Sequence, residues 1–562
     1  MPLKTKKTRT SQTTAFLPIV ILFYYITLCF VSLGGFVEPL NAEENPNVRP
    51  AIRAQEGIVL LTPENTQILP GQRRLARVVF SPKPGPVLGP KKNDAAHQLL
   101  RRLVASGQAA GNLGDLYENR DRNHSRLKSE WFPQLTHVVY NDAFQKQGVD
   151  YGVGLTMLFD APVIANSSTA VNKGPAWRSL PRLALTAGGG AQRLYQNYVT
   201  GQIHVYPVVK DHGPERGDLL PANTPYMLIS QGKSGSDRPH LEALAMILAA
   251  LRPDTKALLR RKGLIASTVQ MVYRRARVGV RSREAYLSGA AHPTAFKDRD
   301  IALARMVGFA NAILPSEVPP MVQLKVLEER LGSEGVDFFG EGLGEQMFDT
   351  PSAIARVWRS REGRRSMVVT AAGTKDPNGR NLTFEWIVLR GDRNRTRITS
   401  LSEDGSSARI EIDWQDRQPA PGSPDILSSR VDIGVFAHNG IHDSAPAFIS
   451  VLLPHHETRD YDFETGGSPR VKSVDWKPSK GMYVDPRVFP IVPWRDVYKY
   501  DENGELLGWM RYLRRGEEEY NIQGHRLLGS GLGGESEIRY MLEEGKKKGV
   551  FTVHGIPAEE RE

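Results

Sequence analysis

Three short runs gather the side chains that could do chemistry. In the first, Asn119-Arg-Asp-Arg-Asn-His-Ser-Arg126, Asp121 stands three residues before His124. A carboxylate so placed can orient an imidazole as a general base, although a loop pinned by Arg–Asp pairs uses the same letters. In the second, His204, Asp211, His212, Glu215 and Asp218 fall within fifteen residues. Imidazole and carboxylate ligands of this kind could hold a divalent metal that polarises a substrate or a bound water. The spacing matches no common metal motif, HExxH is absent, and Gly213-Pro214 fits a solvated turn. In the third run, Ser236, Asp237 and His240 supply the residue types of a hydrolytic triad without Gly-x-Ser-x-Gly. Gly232-Lys-Ser234 has the ending of a phosphate loop, but Met227 stands where its first glycine belongs. A helix N-terminus with cap residues accounts for this run equally well, and its free amides could hold an anion. No cofactor is required by any of the three.

The elements around these runs set where they can meet. Residues 43–92 are polar and proline-rich, with one strand-like run at Gly57–Leu61, and read as a linker with a docked segment. Asn93-Asp94 caps a short amphipathic helix carrying Leu99, Leu100, Leu103 and Val104. From about 130 to 235 the chain shows short β-like runs: Thr136–Tyr140, Val153–Phe159, Leu183–Thr186, Gln202–Tyr206 and Tyr226–Ile229. From Asp237 to Leu331 helices dominate. Asp237 is placed as an N-cap before Leu241, Leu244, Ile247, Leu248 and Leu251, and Gly263 ends the helix that Asp254 opens. Strands followed by helices predict an α+β domain over residues 93–350. Residues 365–455 alternate cleanly: Ala408, Ile410 and Ile412 against Arg409, Glu411 and Asp413, and Val431, Ile433 and Val435 likewise. That spacing predicts an all-β two-sheet sandwich. The remainder, 456–562, is polar with hairpins such as the one turning at Asn503-Gly504.

The sandwich carries a family resemblance. Thr374-Lys-Asp-Pro-Asn-Gly-Arg-Asn-Leu-Thr-Phe-Glu-Trp386 resembles the opening of a PKD-type immunoglobulin-like domain. Val431–Gly440 followed by Ser444–Ala447 resembles its last two strands. Trp386 is followed by Ile-Val-Leu-Arg, not by the Gly-Asp-Gly turn of the strict pattern. The resemblance implies a spacer or binding module with Trp386 in its core. In the preceding region, Tyr117–Arg126, Phe132–Leu135, Pro221–Tyr226 and Arg252–Thr255 resemble segments of exported proteins of planctomycete-type bacteria, and this implies no activity.

The chain start reads as an export signal. Lys4, Lys6, Lys7 and Arg9 precede an uncharged stretch from Ser11 to Val37, and Leu40-Asn-Ala42 offers a cleavage point. Residues 1–42 are expected to be a signal peptide or signal-anchor, contacting the membrane through 11–37 if uncleaved. Cys29, the one cysteine, lies inside this segment, so the mature chain would use neither disulfide nor thiolate. An extracytoplasmic bacterial setting follows. The formal charge is +11; four basic residues and one acidic one fall in 1–42, leaving +8. The basic residues are scattered without interleaved aromatics, which argues against nucleic acid and suits an anionic polymer, envelope polysaccharide or protein partner. Two functions fit: a non-catalytic envelope or secreted protein, or an exported hydrolase of an envelope polymer with the sandwich as accessory module.

Overall fold

The structure, a computed structural model, describes residues 49–557 except 81–84, 153–156, 168–178, 209–219, 233–234, 340–342, 421–422, 429, 455–456, 464–468, 477–492, 529–533 and 545–550. Among the described residues no helix is long and apolar enough to cross a membrane; residues 11–37 lie outside them.

Six strands form one sheet: β1 (Ile58–Leu61), β2 (Leu116–Arg120), β3 (Thr136–Tyr140), β4 (Val163–Ser167), β5 (Gln202–Val208) and β6 (Met227–Gln231). Their spatial order is β6-β5-β4-β2-β3-β1, and every neighbouring pair is parallel. A parallel strand pair needs a crossover between its strands, and helices supply several of these. Helix α1 (Ala95–Ala105) lies between β1 and β2 in the chain, and α2 (Leu180–Thr186) and α3 (Gly190–Val199) lie between β4 and β5. Helices α4 (Arg238–Ala250), α5 (Pro253–Lys262), α6 (Ile265–Arg275) and α7 (Leu303–Ala312) follow β6.

This corrects the expected α+β layout: strands and helices alternate in a mixed α/β arrangement. Two local misreadings produced the difference. Leu183–Thr186 is helical, because its apolar run is too short to reveal its period and Pro181 sits in the first turn. The run at Gly57–Leu61 supplies an edge strand of the sheet, with Val59 and Leu61 buried and Ile58 and Leu60 exposed.

One face of the sheet packs Tyr117, Ile164, Ile203, Val205 and Leu228 against the helices. The other places Leu116, Val138, Val163 and Ala165 against Phe144, Met157 and Phe159. Helix α4 runs through the centre, with Leu241, Leu244, Ile247 and Leu248 fully buried.

The next region is a sandwich. One sheet, in the order β7 (Lys325–Glu329), β10 (Arg364–Thr370), β13 (Ser407–Asp413), β12 (Thr396–Ser400), faces a second. That second sheet runs β8 (Gln346–Thr350), β9 (Ala353–Val357), β15 (Ala447–Leu452), β14 (Arg430–His438), β11 (Thr383–Arg390). Met367, Val369, Ile410 and Ile412 from the first sheet meet Ile433, Val435, Ile449 and Val451 from the second in one core. Trp386 is half-buried against that core and donates its indole N–H to the Gly405 carbonyl at 2.7 Å.

The three central strands of the second sheet, β9, β15 and β14, are buried on both faces. Phe436, Phe448 and Leu389, on its outer side, join the core of the α/β region. A buried polar network ties the same surface down. Arg430 donates to Asp432 at 2.7 Å and to Thr294 at 2.5 Å, Ser450 donates to Asp432 at 2.7 Å, and the Asn223 amide donates to Ser450 at 3.0 Å. Arg390, first residue of an Arg-Gly-Asp tripeptide, is buried here and donates to Thr294 at 3.2 Å. The sandwich is therefore fixed to the α/β region rather than tethered to it.

Beyond it, β16 (Glu457–Asp462), β17 (Arg470–Trp476), β18 (Trp494–Tyr500), β19 (Leu506–Tyr512) and β20 (Glu517–Tyr520) begin a seven-stranded antiparallel sheet. Buried ion pairs within it include Arg511 on Asp496 at 2.8 and 3.0 Å and Arg459 on Glu457 at 3.0 Å. The Arg511 guanidinium lies 5.0 Å from the Phe339 ring, 4.5 Å from Trp494 and 4.7 Å from Tyr520.

Candidate active site at the carboxyl edge of the sheet

Strands β2 and β4 are neighbours, yet the chain leaves them in opposite directions, β2 towards β3 and β4 towards β5. In an open parallel sheet such a switch point leaves a crevice beyond the carboxyl ends of the two strands. The residues at that edge are Asn119 and Arg120 at the end of β2, Asp121 just after it, and Asn166 and Ser167 at the end of β4.

Alternation along β2 and β4 sends Tyr117, Asn119 and Asn166 to the helix-covered face. Asn166 is the hub. Its amide nitrogen donates to the Ser125 carbonyl and to Asp237, both at 2.6 Å. Its oxygen accepts from the Tyr117 hydroxyl at 2.8 Å and from Asn119 at 3.1 Å. Ser125 donates its hydroxyl to the other Asp237 oxygen. Asn119 accepts from the Asn123 amide at 2.8 Å, and the Tyr117 hydroxyl accepts from the Leu127 amide at 2.8 Å. The loop 121–127 is thus held over the strand ends by side chains from β2, β4 and the start of α4.

Asp121 is the exception. It is 1% exposed, and its oxygens lie near the Asn119 side chain and the amides of His124 and Ser125 without a hydrogen bond of good geometry. Burial raises its pKa, with nearby Asn119 and the loop amides opposing the shift. Asp237 is raised by burial too, against its bonds to Ser125 and Asn166, and the Asp121 charge adds to the rise. Directly after Asp121, Arg122 and Asn123 hold left-handed backbone at φ 56° and 65°. Residues other than glycine seldom adopt that conformation, and when two adjacent ones do, the surrounding structure must hold them there. Arg122 also stacks 5.1 Å from the Tyr151 ring.

The runs 117–126 and 230–240 converge here through Ser125–Asp237, Asn166–Asp237 and the bond from Arg238 to the His124 carbonyl at 3.4 Å. His124 is exposed on the rim of the loop. Ser236, Asp237 and His240 are not bonded to one another: Ser236 meets Ser230 at 3.1 Å, and His240 meets the Tyr273 hydroxyl at 2.6 Å. His240 is buried and its pKa falls to about 4, chiefly through burial. Asp237 precedes α4 as expected, but its side chain makes no capping bond; it is used on Ser125 and Asn166 instead.

His204 sits inside the sheet, separated from Glu118 by Ala165 of β4 and on the face opposite Asn166, with its ring 3.6 Å from that carboxylate. Arg120, 3.6 Å away, and the donating Tyr140 hydroxyl complete the group. Burial pushes Glu118 up, and Arg120, His204 and Tyr140 together outweigh it, so its carboxyl ends below the ordinary value. Asp211, His212 and Glu215 lie outside the described residues. Among the described residues no group of three or more His, Cys, Asp or Glu side chains is placed to hold a metal.

Along the chain Asn166 is marked only by the Asn-x-Ser form of a glycosylation sequon. It is completely buried. The usable signal was positional: a buried strand, Val163-Ile-Ala, that ends in Asn-Ser.

No family model matches the chain, and no curated protein matches it. Among solved structures, it is similar to a nucleoside hydrolase-related protein from Saccharophagus degradans associated with carbohydrate metabolism. That match is 10% identical and covers 52% of this chain and 71% of the other, with a TM-score of 0.18. Tandem Ig repeats of Dlar match at 10% identity over 41% of this chain and 98% of theirs, TM-score 0.12. The N-terminal Ig1-2 module of the Drosophila receptor protein tyrosine phosphatase DLAR matches at 9% over the same shares, also with a TM-score of 0.12. At these TM-scores the likenesses carry no weight for fold or function.

Proposed function

We propose that the protein is an exported hydrolase of a polysaccharide or other envelope polymer, with its active site at the switch point and its immunoglobulin-like sandwich as a fixed accessory module. The observation that carries this reading is Asp121: a buried carboxylate beside the strand ends, with no well-formed hydrogen bond to either oxygen. An unsatisfied buried carboxylate costs stability, and unsatisfied groups of this kind concentrate where a substrate completes the bonding. The surrounding network makes the same point by contrast, because Asn166, Asn119 and Asp237 are satisfied and serve to hold the loop.

In this reading Asp121 is the general base. A water beside it gives a proton to the carboxylate while its oxygen attacks the anomeric carbon, and the glycosidic oxygen leaves with a proton from the protonated imidazole of His124. The raised pKa of Asp121 strengthens it as a base. Activity then falls as pH drops through that raised value, because only the ionised form accepts the proton. Export rests on the basic and apolar residues of the chain start.

The test is a screen of the full chain against fluorogenic glycosides and soluble polysaccharides, read by fluorophore or reducing-end release. Turnover is expected for the wild type and a loss of about a hundredfold or more for Asp121→Asn, as for removal of a general base. Saturable binding of a glycan without release of product would instead mark a binding protein, and turnover that survives Asp121→Asn would place the chemistry elsewhere.

A further inference from the structure

A cleft of about 770 Å³ lies where the sandwich meets the C-terminal sheet, within the range of small-molecule sites, about 300–1,000 Å³. Arg330, Arg361, Arg364 and Arg470 line it, with the carboxylates of Glu362, Asp462 and Glu505. Two of the guanidinium groups are already committed. Arg364 grips Asp413 at 2.6 and 3.1 Å, and Arg330 pairs with Glu362 at 2.9 Å.

The other two are positioned but not neutralised. Arg361 lies 5.0 Å from the Trp509 ring and 5.7 Å from Tyr498, and it donates to the Ile522 carbonyl at 3.4 Å. Its remaining terminal nitrogen, Nη1, is buried and has no hydrogen-bond partner. Arg470 lies 6.0 Å from the Tyr500 ring and presses so closely on Gly504 that a Cβ there would meet its guanidinium at 2.3 Å. Gly504 also holds left-handed backbone at φ 81°, so the turn beneath Arg470 suits glycine twice over. Among the described residues neither Arg361 nor Arg470 has a carboxylate within ion-pair distance.

We infer that this cleft binds a carboxylated polysaccharide. Guanidinium groups held in place by rings present paired N–H donors that match a carboxylate. A sugar carboxylate reaching Arg361 satisfies the buried Nη1, which a neutral glycan would leave unpaired. Glu505 and Asp462 accept from sugar hydroxyls. The cleft is built from other elements than the Asp121 site and does not depend on turnover there.

Calorimetric titration of the full chain with oligogalacturonate tests this, with cellohexaose as the neutral glycan and sodium sulfate as the free anion. Oligogalacturonate should bind saturably, weaken with added salt, and lose about tenfold or more in affinity in Arg470→Gln and in Arg361→Gln. Arg470 is exposed, so Arg470→Gln decides the matter if Arg361→Gln disturbs the fold. The inference is overturned by no saturable oligogalacturonate binding, by an affinity unmoved in Arg470→Gln, or by cellohexaose or sulfate binding as tightly as the oligomer.

Discussion

Asp121 and Asp432 are both buried aspartates on or beside strands, 1% and 2% exposed, and the protein treats them oppositely. Asp432 has a partner for each oxygen, Ser450 on one and Arg430 on the other, and Arg430 passes the tie on to Thr294. Asp121 has no well-formed hydrogen bond to either oxygen. A buried charge is tolerated when paired and costly when not; the first arrangement holds two regions together, and the second is the one the proposed function assigns to a substrate. Where a carboxylate sits matters as much as its burial: Asp432 faces a sealed contact, and Asp121 follows β2 at the carboxyl edge of the sheet, beside the switch point.

This contrast can be broken from the structural side first. Arg430→Met leaves Asp432 buried without its cation and is expected to cost about 3–5 kcal/mol. Chemical denaturation measures it, and adding Asp432→Asn should recover part of the loss. Next in size, Asp237→Ala deprives Ser125 and Asn166 of their acceptor. It should cost about 1–3 kcal/mol and also abolish turnover by freeing the loop that carries Asp121.

A smaller effect comes from His97 on α1, which lies 2.8 Å from both Asp94 and Glu242. Burial lowers its pKa, but those hydrogen bonds and charges outweigh the burial and leave it raised. A raised folded pKa gives stability that is complete below the ordinary histidine value of 6.5 and fades as pH climbs through the folded value. Thermal scans from about pH 6 to about pH 8 should show Tm falling for the wild type, with the slope flattened in His97→Gln. His240 works the other way. Its pKa of about 4 means that stability is lost as pH falls from 6.5 towards that value, and His240→Phe should soften this acid limb.

The sandwich was legible in the sequence because one face of β13 is dry and the other wet: Ile410 and Ile412 are buried, Arg409 is exposed and Glu411 half-exposed. Its docking was not. Along β14 every residue from Arg430 to Phe436 is buried, since the strand packs on two cores at once. Alternation records which face is more apolar and is silent on a polar face sealed by Arg430 and Asp432. The parallel sheet was hidden for a related reason. Strands such as β4 and β5, buried on both faces, lose the period-two signature, and α2 is too short to show a helical one. Of the site, the run holding Asp121 was visible as a dense polar stretch. Its closure by Asn166 and Asp237, 71 residues apart, depends on the strand order and cannot be read along the chain.

The central claim is that Asp121 is kept for a substrate and not for the fold. Measuring unfolding free energy and product release on one preparation of Asp121→Asn tests it directly. Replacing a buried carboxylate that lacks a well-formed hydrogen bond with an amide should leave stability unchanged within about 1 kcal/mol or raise it, while turnover is lost. A drop of about 2 kcal/mol or more, the size expected when a satisfied hydrogen-bonding partner is removed, or turnover at the wild-type rate, would contradict it.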